Sequence, residues 1–189
     1  MSLPGATRST QDPRREGDRT ILLLRLPLVL LAAWWTVSLP AAALPHCFLD
    51  WVNLPFHEAG HLFLAPFGTT LHVLGGTLGQ LAVPAILGGY FLRRRQRFAA
   101  ALCLFWIGEN FVDVSVYMAD ARAMALPLVG GGEHDWTQLF YQFGLLGEES
   151  VATVSSLTRA LGVIVMAAGV LGSVFTLRAA GDGSSDPTS

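Results

Sequence analysis

The segment His57-Glu58-Ala59-Gly60-His61 has the residue types and the spacing best suited to chemistry in this sequence. Residues four apart on a helix lie on one face, so both imidazoles can bind a single metal ion. The carboxylate of Glu58, between them, can then take a proton from an attacking water. This HExxH pattern is typical of zinc-dependent hydrolysis. It predicts His57 and His61 as zinc ligands and Glu58 as a general base.

A third zinc ligand has two candidates, Asp113 and His134. Asp113 lies in an otherwise apolar run, where an ionised group is costly unless it is paired or coordinated. His134 follows three consecutive glycines, in a loop that suits a gate. We expect Asp113 to be the ligand and His134 to be a lid or a substrate contact. If His134 is the ligand instead, Asp113 would orient a ligating imidazole.

Asn110 lies in the same apolar run as Asp113 and three residues before it, so the two share a helix face. Asn110 is a candidate for orienting the substrate or stabilising an oxyanion. A hydrogen bond between helices that fixes their packing is the alternative role for this residue.

The residues after His134 predict a short amphipathic helix at the membrane surface. Its apolar residues recur at helical spacing: Trp136, Leu139, Phe140 and Phe143. Asp135 precedes this run, and Gln138 lies three residues after Asp135, which is the spacing of a capping box. We therefore expect Asp135 to be the N-cap of the helix and not a metal ligand. Trp136, Phe140 and Tyr141 are expected to serve as interfacial anchors.

The composition is that of a membrane protein. Of the 189 residues, 52% are hydrophobic and 14% are charged, roughly half the charged fraction of a soluble domain. The basic residues are all Arg and number 12, which disfavours a nucleic-acid partner bound through a broad basic face. Four apolar runs approach the ~20 residues that cross a bilayer; they cover 26–44, 71–92, 98–118 and 160–177. The expected fold is an all-α, polytopic membrane bundle with about four spanning helices.

The expected organisation is one membrane-embedded helical domain over 20–178, between disordered tails at 1–19 and 179–189. The first apolar run has an alternative interpretation as a cleavable signal peptide, since Ala41 begins a run of small residues. Asn53 is expected to cap the HExxH helix and Pro66 to end it, giving about twelve residues. So short a helix must dip into the membrane or lie against the bundle.

The arginines predict the orientation of the bundle. They cluster in the N-terminal tail and at 93–97, and short loops rich in Arg lie on the cytoplasmic side. Four crossings then place the HExxH segment outside. The many Ala and Gly residues beside the absence of Lys indicate a bacterium with a GC-rich genome. The expected location is the bacterial cytoplasmic membrane, as a multi-pass protein surrounded by lipid.

These residues resemble the site-2-protease-like family of intramembrane zinc metallopeptidases. In that family a HExxH helix is followed by Gly-rich helical sequence and by a membrane helix with an Asn and a metal-binding Asp. The matching parts here are the HExxH segment, Gly75-Gly76-Thr77-Leu78-Gly79, and Asn110 with Asp113, within about 50–120. The family usually has Pro-Asp-Gly after the Asn, which this chain lacks, and usually has its site toward the cytoplasm.

The resemblance implies a zinc metallopeptidase that cleaves a polypeptide in or next to the membrane. The main alternative is a non-catalytic, metal-stabilised membrane scaffold or regulator, in which the His pair and Asp113 only hold helices together. A metal-dependent enzyme acting on lipid is a lower alternative. Glu58 separates a peptidase from a scaffold, because a scaffold has no need of a carboxylate that does not bind the metal.

The orientation can be tested with topology reporters. A reporter fused after Arg95 should report the cytoplasm, and one inserted near Gly131 should report the outer side, because Arg in short loops is retained inside. A cytoplasmic signal at Gly131 would show that the bundle has the opposite orientation, with the HExxH helix on the inner side.

Overall fold

The structure, a computed structural model, describes residues 13–42, 47–127 and 134–182. These residues form six α-helices and no strands, which confirms the all-α prediction. The helices are α1 (Pro13–Ala41), α2 (Phe48–Leu64), α3 (Thr69–Arg93), α4 (Arg97–Ala119), α5 (Asp135–Gln142) and α6 (Glu148–Asp182), with a 3-10 turn at Ala65–Phe67.

Four helices are long and apolar enough to cross a membrane. Their spans are Leu22–Ala41, Thr69–Arg93, Arg97–Ala119 and Glu148–Ala179. They coincide with the four apolar runs of the sequence. Large apolar side chains on α1 and α6 are well exposed, such as Val37 at 74% and Leu171 at 69%. Exposed apolar faces of this extent are typical of helices that contact lipid, so the chain has the character of a membrane protein.

Parts of the predicted tails are helical. Residues 13–19 belong to the first turns of α1, and residues 179–182 belong to the last turn of α6. A helix that is already formed by a span adds further residues at little cost, because nucleation is the expensive step. The other tail residues, 1–12 and 183–189, lie outside the described residues, as do 43–46 and the loop at 128–133.

Helix α4 is the centre of the bundle and packs antiparallel to α6. A Cβ on Gly169 of α6 would overlap the backbone of Phe105 on α4, and Ser173 is only 1% exposed. Small residues of α6 therefore allow the two helices to pack closely. The core beside them contains Leu39, Phe105, Val112 and Met166.

Helix α5 packs into the bundle more deeply than an interfacial anchor would. Leu139 and Phe140 are each 2% exposed, and Phe140 lies in a core cluster with Val114 and Met118 of α4. Tyr141, on the opposite side, is 76% exposed. Phe140 therefore is not an interfacial anchor, and its burial fixes α5 across the end of α4.

Helix α2, which carries the HExxH motif, begins earlier than predicted. Its N-cap is Cys47, and the carboxylate of Asp50 accepts a hydrogen bond from the Cys47 N–H at 2.8 Å. The prediction of Asn53 as the cap is wrong because Asp50 already provides capping. Asn53 is 2% exposed inside the helix, where it accepts from Trp106 Nε1 at 2.7 Å.

Helix α2 starts deep in the bundle and rises toward the end of α4. Cys47 Sγ lies 3.5 Å from Glu109 Oε1 near the middle of α4, whereas the His57 ring centre lies 6.3 Å from that of Tyr117 near its end. Glu109 and Tyr117 are about 12 Å apart along the α4 axis. The 17-residue helix therefore runs from the middle of the bundle to one of its ends and lies against α3 and α4.

The backbones of α2 and α3 touch at glycines. A Cβ on Gly60 would overlap the carbonyl of Gly75, and a Cβ on Gly75 would overlap the carbonyl of Gly60. Gly79 lies one turn further along α3 and approaches the Phe56 carbonyl in the same way. Gly75 and Gly79 therefore allow the two helices to pack closely, and Gly60 of the HExxH segment is their counterpart.

The glycine contact can be tested by Gly60→Ala, since a methyl group there must push two backbones apart. We expect a loss of about 1–3 kcal/mol, which lowers the melting temperature in mild detergent by several degrees. Gly89→Ala is the matched control, because a Cβ on this α3 residue meets no atom within 4 Å. Equal melting temperatures for the two variants would refute the tight contact.

Candidate metal centre

Side chains of His57, His61 and Asp135 converge on one point. Asp135 Oδ2 lies 3.1 Å from His57 Nε2 and 3.3 Å from His61 Nε2. One potential ligand atom from each residue lies within 4.8 Å of the other two. The structure therefore brings together the two histidines of the HExxH segment, as predicted, and joins them to a carboxylate on α5.

The far nitrogen of each ring is held by a hydrogen-bond acceptor on α3. His61 Nδ1 lies 2.8 Å from the carbonyl oxygen of His72, and His57 Nδ1 lies 2.8 Å from Gln80 Oε1. Since both partners accept, each Nδ1 carries the hydrogen in a neutral ring. Both Nε2 atoms then present lone pairs to the point that Asp135 also faces. A cation between these atoms would satisfy all three, either a proton shared by His57 and Asp135 or a divalent metal ion.

The pKa of His57 reflects the same convergence. Burial lowers this pKa, but hydrogen bonds with Asp135 and Gln80 and the nearby negative charges of Asp135 and Glu58 raise it more. The pKa of His57 therefore lies above its ordinary value, and a proton can occupy the position between His57 and Asp135. A metal ion bound there would compete with this proton.

Gly76 of α3 makes room for the two imidazoles. A Cβ on Gly76 would overlap the ring atoms of both His57 and His61. This residue lies within the Gly-rich segment 75–79, and its function is steric. The bare backbone of α3 forms the floor of the centre, and a side chain at this position would displace both rings.

A cavity of about 960 Å³ opens beside the centre. Glu58 lines it together with the three converging residues and is not one of them. Apolar side chains from α2 and α4, such as Leu54 and Val114, form other parts of its wall. Glu58 thus belongs to the wall of the cavity that adjoins the centre.

Asp113, the predicted third ligand, is separated from the centre by the side chain of Gln80. Its Oδ2 accepts a hydrogen bond from Gln80 Nε2 at 3.0 Å, and Gln80 in turn contacts His57. The converging group does not include Asp113. The structure therefore places Asp113 behind Gln80 and brings Asp135 to the position expected of the third ligand.

His134 caps α5, the role predicted for Asp135, and Asp135 lies at the centre, where His134 was a candidate. The N-cap of α5 is His134, whose Nδ1 accepts from the Thr137 N–H at 3.2 Å. The prediction that Asp135 is the N-cap is wrong because the imidazole nitrogen satisfies this amide, and Asp135 is the first residue of the helix proper. His134 Nε2 is directed toward Asp120 Oδ2 at 3.5 Å, and burial lowers the pKa of His134. Neither ring nitrogen is directed at the centre.

Asn110 is buried in the packing between α2 and α4. It is 0% exposed, and its amide nitrogen donates to the Trp106 carbonyl at 3.0 Å and to Asn53 Oδ1 at 3.4 Å. It is not among the residues that line the cavity. The geometry favours the packing role for Asn110 over contact with a substrate.

Tyr117 is a cavity-lining residue that the sequence did not indicate. Its hydroxyl oxygen accepts a hydrogen bond from the Asp135 N–H at 3.2 Å. Near the end of a spanning helix, a tyrosine has the appearance of an interfacial aromatic residue. Only the position of α5 reveals that it contacts the centre.

A second group of potential ligand atoms lies about two turns deeper along α2. Cys47 Sγ is 3.7 Å from Asp50 Oδ1 and 3.5 Å from Glu109 Oε1. Burial and the negative charges of Glu109 and Asp50 raise the pKa of the Cys47 thiol far above its ordinary value. The thiol is therefore protonated, and its single hydrogen faces the carboxyl groups of Asp50 and Glu109. This group secures the start of α2 against α4.

No protein-family model matches the chain, and no curated protein or solved structure matches it either. The resemblance to site-2-protease-like peptidases therefore rests on the motifs alone. The function has to be inferred from the geometry of the centre.

Zinc affinity of purified protein distinguishes Asp135 from His134 as the third ligand. Asp135→Ala should weaken zinc binding by more than about 100-fold, because two imidazoles remain alone. His134→Asn is the matched control, since Asn preserves an N-cap acceptor and removes the imidazole. Its zinc affinity should stay near that of the parent. The opposite order of affinities would identify His134 as the ligand.

Proposed function

We propose that the chain is a membrane-embedded zinc metallopeptidase that hydrolyses a polypeptide in or next to the bilayer. His57, His61 and Asp135 hold the metal, and Glu58 is the general base. The single observation that carries this proposal is the convergence of three acceptor atoms on one point, with a fourth, non-converging carboxylate on the adjoining cavity wall.

The ligand set favours a catalytic zinc over a structural one. Structural zinc sites are closed by four protein ligands, whereas catalytic sites have three and leave one position open. The described residues supply two imidazoles and one carboxylate here. Zinc bound in such a site lowers the pKa of a water molecule toward about 7 and polarises the substrate carbonyl.

Glu58 is placed to move protons. It follows His57 directly and is exposed to the cavity, so it can take a proton from the attacking water. The same carboxyl group can then protonate the leaving amine. Tyr117 replaces Asn110 as the candidate for stabilising the oxyanion, because its oxygen already accepts from the Asp135 N–H and its own hydrogen is left for another acceptor.

The cavity fits a polypeptide substrate. Its volume of about 960 Å³ lies at the upper end of the range for ligand pockets, and it is bounded by apolar and acidic residues together. Trp51 and Leu62 line it and are 77% and 76% exposed at the outer surface of α2. A peptide segment can therefore approach across an apolar surface and reach Glu58 and the metal ligands.

A metal-stabilised scaffold or regulator is the second candidate. The observation that favours it is the position of the centre, where α2, α3 and α5 meet. A metal ion there would fasten these helices whether or not a reaction follows. The two candidates differ in what they require of Glu58, which is essential only to the peptidase.

Glu58→Gln should abolish proteolysis and leave zinc affinity within a few-fold of the parent. Proton transfer contributes about 10² to 10⁴ in rate, and the residue is not among the ligands. Zinc-loaded protein in liposomes with host membrane proteins can be assayed by mass spectrometry of newly formed N-termini. Glu149→Gln, an exposed change on α6, is the control and should cleave like the parent.

New N-termini that persist with the Glu58 variant would refute its assignment as the base. If the zinc-loaded parent forms no new termini and its melting temperature still rises with zinc, the scaffold would be favoured.

A further inference from the structure

Gln80 connects Asp113 to His57 through two hydrogen bonds. Its Nε2 donates to Asp113 Oδ2 at 3.0 Å, and its Oε1 lies 2.8 Å from His57 Nδ1. Gln80 is 3% exposed, so its amide is largely shielded from bulk water. The three residues come from α4, α3 and α2, and they form a continuous chain that ends at the metal centre.

Asp113 determines which end of the Gln80 amide faces His57. An ionised carboxylate can only accept, so the amide nitrogen of Gln80 must face it and the amide oxygen must face His57. An oxygen facing Nδ1 requires the hydrogen of the neutral ring to lie on Nδ1. The lone pair is then on Nε2, which faces Asp135 at the centre.

His57 and His61 differ in how their orientation is secured. The partner of His61 Nδ1 is a backbone carbonyl, which is an acceptor by its nature and cannot be reversed. The partner of His57 Nδ1 is a side-chain amide, which presents a donor or an acceptor depending on a half turn of its end group. Only His57 therefore needs a further residue to fix its tautomer.

We propose that Gln80 and Asp113 are positioning residues that hold His57 in the tautomer able to bind a metal ion. This role rests on the proposed metal centre, and it explains why the lone pair of His57 lies on Nε2, which faces the metal position. Asp113 acts at a distance, through Gln80, and contributes its charge without contacting the metal.

The decisive variant is Asp113→Asn, which preserves shape and volume and removes the constraint on direction. An amide at position 113 can donate or accept, so the amide of Gln80 is able to turn its nitrogen toward His57 Nδ1. The hydrogen of His57 then moves to Nε2, where it blocks the metal. We expect zinc affinity to fall by about 10- to 100-fold, as is typical for residues that orient metal ligands.

The rescuing variant adds Gln80→Glu to Asp113→Asn. The carboxylate introduced at position 80 accepts from the amide introduced at position 113 and from His57 Nδ1, so the required tautomer is restored. Zinc affinity should return to within about 3-fold of the parent. The absorption spectrum of protein loaded with Co²⁺ provides a second readout, which should be altered in the single variant and parent-like in the double variant.

The outcomes separate this inference from the proposed centre. A parent that binds neither zinc nor Co²⁺ would overturn the centre itself. A parent that binds both, with an unchanged Asp113→Asn affinity, would overturn the positioning role alone. A double variant whose zinc affinity is no higher than that of the single variant would also overturn it. A role of Asp113 in packing alone predicts no rescue. Monodisperse elution in detergent ensures that each variant compared is folded.

Discussion

The contact between the backbones of α2 and α3 is the constraint on which the rest of the centre depends. It exists because glycines face one another at this crossing, and it sets the register of the two helices. In this register, residues 72, 76 and 80 of α3 lie four apart along the stripe that faces the HExxH segment. The first contributes a carbonyl to His61, the second leaves space for both rings, and the third contributes an amide to His57.

The acidic residues of α4 show how a helix accommodates buried carboxyl groups. Glu109 accepts from the Asn53 amide at 3.1 Å, and Asp113 accepts from Gln80. Each carboxylate has found an amide on a different neighbouring helix, and those amides also contact other polar groups. In an apolar environment such paired contacts replace hydration, which otherwise makes a buried carboxylate costly. Because α2 starts beside the middle of α4, Asn53 lies within reach of Glu109.

The features that depend on local spacing could be predicted from the sequence, whereas those that depend on distant partners could not. Four apolar runs became four long helices, and the i, i+4 spacing placed His57 and His61 side by side. Asn53 and Asp135 both have the appearance of caps, because Asn and Asp serve that purpose in most helices. Each is instead turned toward another helix. The amide at the start of α2 is satisfied by Asp50, and the one at the start of α5 by His134. No spacing within α5 indicates that its first carboxylate faces two histidines of α2.

The position of Asp135 also affects the order in which the centre is assembled during synthesis. The histidines and the stripe of α3 that orients them lie early in the chain, while the converging carboxylate belongs to a short helix made after α4. A nascent chain that has inserted its first three spans therefore contains the His pair but lacks the third converging atom. Completion of the centre is delayed until α5 docks on the end of α4, and a peptidase of the kind proposed above would be inactive until then.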